Sequence, residues 1–302
     1  MIRLLELFGG IGACTAALKR AKIEYEIVDY VEIDKYAVKS YNAINDTNFV
    51  PQDIKNWDKD LQVDLIMHGS PCQDFSVAGE QKGGDKESGT NSSLMWDTVR
   101  IVRNLKPKIV IWENVKNVLS QKHKHNFDAY IKTMTNLGYT NYYDILNSID
   151  YGIPQNRERI FVVSVLNEFK NNFTFSHSNT INLKLEDILE NKVDEKFYVN
   201  NTYDIDKSLK KIVIDDLYKN RPLRIYNDYA PTLRASRSGL KTIDDDFRVR
   251  KLTPKEYWRL MGFSDDEFEK AKAVNSNTQL YKQAGNSIVV NILVDILKKL
   301  LI

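Results

Sequence analysis

The chain contains little cysteine and little histidine for its length. Its 302 residues include only 2 cysteines, Cys14 and Cys72, and 4 histidines. Two cysteines cannot form a disulfide scaffold or a zinc site built from cysteine alone. His123 and His125 lie two residues apart without nearby acids or cysteines in a ligand pattern, so they favour a solvated helix start over a metal site. We therefore expect no bound metal.

A long hydrophobic run and a dominant charge are also missing. The apolar start of the chain is too short and too interrupted by charges for a secretion signal. The apolar C-terminal stretch carries Asp295, Lys298 and Lys299, which argues against a membrane span and makes a cytoplasmic protein the expectation. Lys and Arg number 43 and Asp and Glu 41, for a net charge of +2, which excludes a histone-like polycation but allows a local basic face for nucleic acid.

Short apolar runs alternate with helical patterns through the first half of the chain. The predicted strands cover residues 2–7, 26–31, 63–67, 109–112 and 160–165, and the predicted helices cover 13–21, 94–105 and 127–137. Runs rich in β-branched residues are typical of buried parallel strands. The pattern predicts an α/β class with a mostly parallel, doubly wound sheet, whose ligands bind beyond the carboxyl ends of the strands.

The composition and periodicity of the sequence change near residue 171. From there to about residue 250 it is rich in Asn, Lys and Asp and has no strand–helix rhythm, which predicts a smaller, irregular second domain. Thr253-Pro254-Lys255-Glu256 then forms a capping box that opens a helix. We expect the last helix to start at Asn286 or Ser287. The predicted division is 1–172, 173–250 and 251–302.

A glycine turn follows the first predicted strand. Gly9-Gly10-Ile11-Gly12 allows a sharp turn and a close approach of the backbone to a ligand, although a tight strand–helix corner would also explain it. Glu32 ends the second strand twenty residues after Gly12, where an acid can bind ribose hydroxyls. Thr15 replaces the third glycine of the dinucleotide fingerprint. This favours a nucleoside cofactor without a pyrophosphate, such as S-adenosylmethionine.

Cys72 follows the third predicted strand, in a loop expected at the carboxyl end of the sheet. A cysteine there can act as a nucleophile when its thiolate is stabilised. The glycine-rich stretch 79–89 comes next and is suited to closing over a substrate. A small buried residue beside a turn is the alternative, and the Pro-Cys context favours function. Cys14, among alanines of the first helix, is expected to be packing.

An acid and two arginines complete the candidate site. Glu113 lies at the end of the fourth strand, on the same rim as Cys72. Arg157 and Arg159 are two residues apart, so an extended backbone points them to one face. Taken singly, a solvated acid and salt-bridged surface arginines explain these residues equally well.

Taken together, the motifs resemble those of one enzyme family. The ordered set is Phe8-Gly9-Gly10-Ile11-Gly12, Pro71-Cys72-Gln73-Asp74-Phe75-Ser76, Glu113-Asn114-Val115, Gln155-Asn156-Arg157-Glu158-Arg159 and Gly285-Asn286-Ser287. It resembles the DNA cytosine carbon-5 methyltransferases of bacterial and phage restriction-modification systems. The resemblance covers nearly the whole chain outside residues 171–223. It implies the S-adenosylmethionine-dependent methyltransferase fold, which is Rossmann-like, with a small target-recognition domain.

The resemblance also implies a reaction. Cys72 would attack carbon 6 of a cytosine flipped out of duplex DNA, and Glu113 would protonate or hydrogen-bond ring nitrogen 3. Arg159 would hold the base, with Arg157 in support. Carbon 5 would then take a methyl group from S-adenosylmethionine, leaving S-adenosylhomocysteine, and loss of the carbon-5 proton would release Cys72.

Other positions are implied to bind cofactor or DNA. The resemblance places Asn286 and Ser287 on a last helix that packs back on the catalytic domain. The implied cofactor-binding residues are Phe8, Gly10, Gly12, Glu32, Ile33, Asp53, Ile54, Pro71, Leu94, Asn286 and Ser287. The implied DNA-binding residues are Gln73, Ser76, Arg234 and Arg237. We expect a cytoplasmic monomer in a bacterial or phage-infected cell, acting on duplex DNA. A cognate restriction endonuclease of the same system is an optional partner.

Three other functions stay open at this point. A branch of the same family methylates tRNA, but its Cys-Phe-Thr stretch is not found here. Asn91 stands where related sequences often have arginine, so an inactive DNA-binding relative is a second alternative. A nicotinamide dehydrogenase is the third, and it leaves Pro71-Cys72 and the Gln155 to Arg159 run unexplained.

Overall fold

The structure is a computed structural model, and part of the candidate site lies outside the residues it describes. Among the predicted site residues, Cys72, Gln73, Ser76 and Arg237 lie outside it. The described residues are 1–71, 74–75, 83–86, 88–169, 172–177, 183–200, 211–216, 222–235 and 239–302.

Within these ranges the chain forms one large sheet, two small sheets and flanking helices. The strands are β1 Ile2–Leu7, β2 Tyr25–Val31, β3 Leu65–His68, β4 Ile109–Val115, β5 Tyr139–Asn147, β6 Gln155–Asn156, β7 Glu158–Leu166, β8 Val213–Asp215, β9 Arg224–Tyr226, β10 Ala230–Pro231, β11 Lys241–Ile243 and β12 Val249–Lys251. The helices are α1 Ala13–Ala21, α2 Lys35–Asn45, α3 Met95–Leu105, α4 Lys124–Asn136, α5 Leu185–Ile188, α6 Pro254–Arg259, α7 Asp265–Lys272, α8 Asn277–Asn286 and α9 Val290–Leu301.

The large sheet has the strand order β2-β1-β3-β4-β7-β5. Strands β1 to β4 pair in parallel, whereas β7 is antiparallel to both β4 and β5. The prediction of a parallel strand at residues 160–165 is therefore wrong. Only the short segment 148–157 joins β5 to β7, and a parallel pairing needs a longer crossover connection. The mostly parallel α/β class is confirmed.

The helix predictions mainly needed corrections at the chain end. The first helix has the predicted bounds, and the Thr253 capping box is present, with Thr253 Oγ1 accepting from Glu256 N. The last helix does not start at Asn286 or Ser287: α8 ends at Asn286 and α9 starts at Val290. Arg157 Nη2 donates to Gly285 O at 3.4 Å and to Ser287 O at 2.8 Å. These carbonyls therefore bond to a side chain instead of continuing the helix.

The second half of the chain adds a four-stranded antiparallel sheet, in the order β12-β11-β8-β9, and a parallel bridge between β6 and β10. Helix α9 packs against α1, so the chain end returns to the first part of the fold. The domain boundaries at 172 and 250 stay predictions. His123, expected to be solvated, is 1% exposed because it packs against Phe75. None of the helices in the described ranges is long and apolar enough to cross a membrane.

Candidate active site

A pocket opens where β1, β3 and β4 end, at the carboxyl edge of the parallel part of the sheet. Its empty volume, including the part open to solvent, is about 420 Å³. The pocket brings together the glycine turn, Glu113 and the turn between α8 and α9. Its lining includes Phe8, Gly10, Gly69, Glu113, Asn286 and Ser287. Residues that are distant in sequence thus share one site, as expected for this kind of sheet.

The glycine turn is held in a conformation that most side chains would strain. Gly10 and Gly12 have φ angles of +53° and +83°, and Phe8 has a positive φ of 54°. A Cβ on Gly12 would also lie 2.9 Å from the ring of Tyr41. The hydroxyl of Tyr30 donates to Gly10 O at 2.6 Å. Tyr30 and Tyr41 therefore hold the turn on one side, and its other side faces the pocket.

Glu32 is bound directly to the glycine turn. Its carboxylate accepts from Gly10 N at 3.1 Å and from Asp34 N at 2.8 Å, and burial raises the pKa of Glu32. Ile33 beside it is 68% exposed. An acid next to an exposed apolar side chain fits the ribose and base of a nucleoside.

The segment that carries Asp53 and Ile54 is placed beside Glu32. Gln52 N donates to Glu32 O at 2.8 Å. Asp53 caps a short 3-10 helix, where its Oδ1 accepts from Lys55 N at 3.0 Å, and Ile54 is buried. Residues 47–53, which lead into this turn, form neither helix nor strand.

Glu113 and Arg159 form an ion pair on adjacent strands. Arg159 Nε lies 3.1 Å from Glu113 Oε1, and Glu113 is only 8% exposed. Burial raises the pKa of Glu113, while the charges of Arg159 and Arg157 oppose that shift. A buried carboxyl whose pKa is raised keeps its proton to higher pH than a free one, and it can donate that proton to a ring nitrogen.

The residues before Cys72 are tied to strand β4. Trp112 Nε1 donates to Ser70 Oγ at 3.0 Å, and Asn114 Nδ2 donates to Ser70 O at 3.2 Å. Because Trp112 and Asn114 flank Glu113 in β4, the same strand fixes the acid and the approach to Cys72. Cys72 itself lies outside the described residues.

The described residues after Cys72 are tied to the start of α3. Ser92 N donates to Asp74 Oδ2 at 3.0 Å, and Ser92 Oγ donates to Pro71 O at 3.0 Å. Ser92 belongs to the 3-10 turn Asn91–Leu94, in which Asn91 is exposed and Leu94 is half-buried. The bond from Ser92 thus ties Pro71 to the turn that contains Leu94.

Arg157 has a different environment from Arg159. It is 3% exposed, and its Nη1 donates to Leu233 O at 3.3 Å in addition to its bonds with the α8–α9 turn. Its charge still lowers the pKa of Glu113. Both charges therefore act on one carboxylate, although the bonds described for Arg157 are to backbone carbonyls.

The predicted residues at the other edge of the site differ in exposure. Asn286, the last residue of α8, is exposed, and Ser287, the first residue of the connection to α9, is buried. Arg234 is exposed and follows Leu233, so it is positioned beside the Arg157 contacts. It is the one residue of the predicted DNA-binding set within the described residues.

Comparison with known families agrees with this geometry. The family model for C-5 cytosine-specific DNA methylase matches residues 2–301. The chain belongs to this family. It is 36% identical to the type II methyltransferase M2.ScrFI of Lactococcus lactis subsp. cremoris, across 99% of both chains. It is 34% identical to the type II methyltransferase M.HhaI of Haemophilus parahaemolyticus, across 97% of this chain and 92% of the relative.

A phage relative and solved structures extend the comparison. The orphan methyltransferase M.SPBetaI of Bacillus phage SPbeta is 28% identical across 99% of this chain and 97% of its own. The solved Dnmt2 methyltransferase of S. pombe superposes with a TM-score of 0.75 at 21% identity, covering 100% of this chain and 98% of the other. At this identity the likeness concerns the fold.

A buried acid in the pocket of this cytosine methylase, Glu6, was missed in the sequence. Glu6 is 1% exposed beneath the glycine turn, where it accepts from Thr15 Oγ1 and, at 2.7 Å, from Tyr41 OH. An acid between the apolar residues Leu5 and Leu7 of β1 was the available signal. Cys14, expected to be packing, is 1% exposed, and burial raises the pKa of its thiol.

Proposed function

We propose that the chain transfers a methyl group from S-adenosylmethionine to carbon 5 of a cytosine in a short duplex DNA sequence, with Cys72 as the nucleophile. The observation that carries the proposal is that Glu113, which is paired with Arg159, lines the same pocket as the glycine turn. Family membership supplies the reaction class, and the pocket supplies residues suited to each role.

The proposed reaction consists of covalent addition to the base, methyl transfer and elimination. The thiolate of Cys72 forms a bond to carbon 6 while Glu113 gives a proton to nitrogen 3. Carbon 5 would then take the methyl group as the methyl–sulfur bond of S-adenosylmethionine breaks. Solvent takes the carbon-5 proton, elimination breaks the bond to Cys72, and nitrogen 3 returns its proton to Glu113, which restores the aromatic ring. Arg159 holds the base and the Glu113 carboxyl. The cytosine must leave the duplex stack to reach these groups.

The residues around the glycine turn fit the proposed cofactor. S-adenosylmethionine supplies an electrophilic methyl group and leaves as S-adenosylhomocysteine. Glu32, already bound to Gly10 N, offers its carboxylate to ribose hydroxyls, and the exposed face of Ile33 suits an adenine ring. The other proposed cofactor contacts are Phe8, Gly10, Gly12, Asp53, Ile54, Pro71, Leu94, Asn286 and Ser287.

Recognition of DNA is proposed for the smaller part of the fold. We assign residues 173–250 to target recognition, 1–172 to catalysis and 251–302 to a hinge and closing helices. Gln73, Ser76, Arg234 and Arg237 are the proposed DNA contacts. We further propose a cytoplasmic monomer in a bacterial or phage-infected cell. Some relatives are named orphan methyltransferases and others type II, so a partner endonuclease is an optional part of the proposal.

Trapping on 5-fluorocytosine tests the proposal directly. Duplex DNA with this base at candidate sites should form a denaturation-resistant adduct with the wild-type protein in the presence of S-adenosylmethionine, because fluorine blocks loss of the carbon-5 substituent. Cys72→Ala should abolish the adduct. Cys14→Ala is the matched control and should keep it, since Cys14 is buried in α1. An adduct that persists in Cys72→Ala would contradict the assigned nucleophile.

Bisulfite sequencing of DNA from cells that express the protein identifies the methylated sequence. The expected result is protection of cytosine at one short motif. The tRNA alternative is not favoured by the family match, and competition between tRNA and duplex DNA as methyl acceptors should show preference for DNA. Absence of any methylated site would instead support an inactive relative.

A further inference from the structure

Ser70 is bound by the two residues that flank Glu113 in β4. The parallel pairing of β3 with β4 ends at His68 and Trp112. Beyond that point, Trp112 Nε1 donates to Ser70 Oγ at 3.0 Å, and Asn114 Nδ2 donates to Ser70 O at 3.2 Å. Side-chain bonds therefore continue the connection to β4 after the pairing of the two backbones has ended.

The indole of Trp112 is fixed by aromatic rings on its other sides. It is fully buried, its ring centroid lies 4.4 Å from that of Tyr130, and its plane is within 4° of the ring plane of His68. Ser70 is buried as well, so water does not compete for its hydroxyl. A buried indole N–H without an acceptor would keep the full cost of its desolvation. The bond from Trp112 therefore holds Ser70 in one position relative to β4.

Glu113 lies on the opposite face of β4 from the two donors. Side chains alternate along a strand, so both donors share one face while Glu113 lines the pocket on the other. Glu113 Oε2 lies 3.8 Å from the position that a Cβ on Gly69 would occupy. Three consecutive residues of one strand thus carry the acid and both bonds to Ser70, which comes two positions before Cys72 in the sequence.

We propose that Trp112 is a positioning residue for the covalent addition step, acting through Ser70 to place the nucleophile against the acid. The inference rests on the proposed function. In that step the bond from the Cys72 sulfur to carbon 6 forms while nitrogen 3 takes a proton from Glu113, so both groups must face one ring at the same time. A misplacement of about 1 Å costs such a reaction about 100-fold in rate.

Trp112→Phe and Ser70→Ala test the bond from its two ends. Each removes this bond but keeps the bond from Asn114 to the Ser70 backbone, so we expect the single-turnover rate of methyl transfer to fall about tenfold. The Kd values for duplex DNA and for S-adenosylhomocysteine should stay within about threefold of wild type. The double variant should be no slower than the slower single variant, because the two side chains form one bond. Losses that multiply in the double variant would contradict action through Ser70.

Release of tritium from carbon 5 of the target cytosine measures the addition step separately. With S-adenosylhomocysteine in place of the methyl donor, addition of Cys72 makes carbon 5 basic. Carbon 5 then takes a proton from solvent and loses its tritium as Cys72 is eliminated. In both variants this release should slow by the same factor as methyl transfer. Slowed methyl transfer with unchanged tritium release would overturn the proposal.

Trp258→Phe is the matched control for a role in stability alone. Trp258 is fully buried, and its Nε1 donates to Leu280 O at 3.0 Å, but neither residue lines the pocket. Both Trp112→Phe and Trp258→Phe should lower the free energy of unfolding, because each loses a buried hydrogen bond. Only Trp112→Phe should slow the addition. A Trp112→Phe protein that loses stability and keeps wild-type rates would show that the indole only packs.

The outcomes separate this proposal from the proposed function. If Trp112→Phe does not fold, Ser70→Ala decides, since it removes a single oxygen, and wild-type rates in Ser70→Ala would overturn the proposal. A wild-type protein that forms no adduct with 5-fluorocytosine and releases no tritium contradicts the proposed function. An active wild-type protein whose variants keep full rates contradicts the positioning role alone.

Discussion

Arg159 Nε approaches Glu113 Oε1 to 3.1 Å from the neighbouring antiparallel strand. In the strand register Glu113 stands opposite Phe161, and Arg159 is two residues from Phe161, on the same face of the sheet. The pair follows directly from the reversed direction of β7. In a parallel strand the order of residues 159–161 along β4 would be reversed. Arg159 would then lie toward the start of β4 instead of toward its end.

Glu113→Gln should remove the alkaline limb of the pH–rate profile. Because burial raises the pKa of Glu113, the protonated carboxyl persists above its usual range and is lost as the pH rises through the folded value. Glutamine donates a hydrogen bond at every pH but transfers no proton, so the rate should fall about 100-fold. Single-turnover methyl transfer from pH 6 to about pH 9 checks both effects. An unchanged alkaline limb in the variant would remove Glu113 from the proton transfer.

Arg159→Met should move the alkaline limb in the opposite sense. The Arg159 charge lowers the pKa of Glu113, so its removal should raise that pKa and extend the protonated form to higher pH. Affinity for the flipped base should weaken at the same time. Lys108→Met is the control, since Lys108 pairs with Asp64 at the other end of β4. The limb should not move in the control, and a shift to lower pH in Arg159→Met would contradict the pairing.

The sequence was sufficient to predict most of the carboxyl edge of the sheet. The glycine turn, Glu32 and Glu113 carry local signals, because each follows a short apolar run in the sequence. Strand β5 was not predicted since Tyr139–Asn147 is a half-exposed edge strand without a regular apolar run. Local patterns cannot show which way a strand runs, and that is why the direction of β7 was wrong.

The contacts of Arg157 were beyond sequence reasoning for a related reason. Its spacing from Arg159 indicated a shared face, and both charges do act on Glu113. Its carbonyl partners are in residues 233, 285 and 287, and only the folded chain brings them together. The break between α8 and α9 depends on the same long-range bonds, so the expected single last helix was wrong as well.

Glu6→Gln should change how stability depends on pH. Burial raises the pKa of Glu6 above its usual 4.5. A group with a raised folded pKa contributes fully to the free energy of unfolding below its unfolded pKa, and that contribution is lost as the pH rises through the folded value. The stability advantage of wild type over Glu6→Gln should therefore shrink from acidic to neutral pH.

Urea unfolding at several pH values measures this difference. Comparing the two proteins at each pH cancels the titration of the other buried acids. Glu24→Gln, at an exposed position, is the control. The pH dependence of its free energy of unfolding should match that of the wild-type protein. A wild-type advantage that grows with pH would mean that Glu6 is stabilised as a carboxylate by Thr15 and Tyr41.

Gly12→Ala should destabilise the fold more than Gly89→Ala. Both glycines have positive φ angles, +83° and +72°, so alanine is strained at each. A Cβ at Gly12 also meets the ring of Tyr41, which stacks on Tyr30 at 3.7 Å. Within the described part of the chain, nothing beyond the neighbouring residues lies within 4 Å of a Cβ at Gly89. We expect losses of about 3 kcal/mol for Gly12→Ala and about 1 kcal/mol for Gly89→Ala, measured by urea unfolding. Equal losses in the free energy of unfolding would show that Tyr41 moves aside and does not hold the glycine turn in place.

Arg234→Gln should weaken DNA binding and reduce its salt dependence. Arg234 is exposed next to the Leu233 contacts of Gln155 and Arg157, so its position is set while its side chain faces outward. A phosphate contact releases counterions, and its loss should lower the slope of log K against log salt by about 1. Lys298→Gln removes the same charge from an exposed position on α9 and should leave the slope unchanged. Because a phosphate contact carries no sequence information, the weakening should be uniform across DNA sequences. A loss confined to the methylated motif, with an unchanged slope, would instead place Arg234 on a base edge.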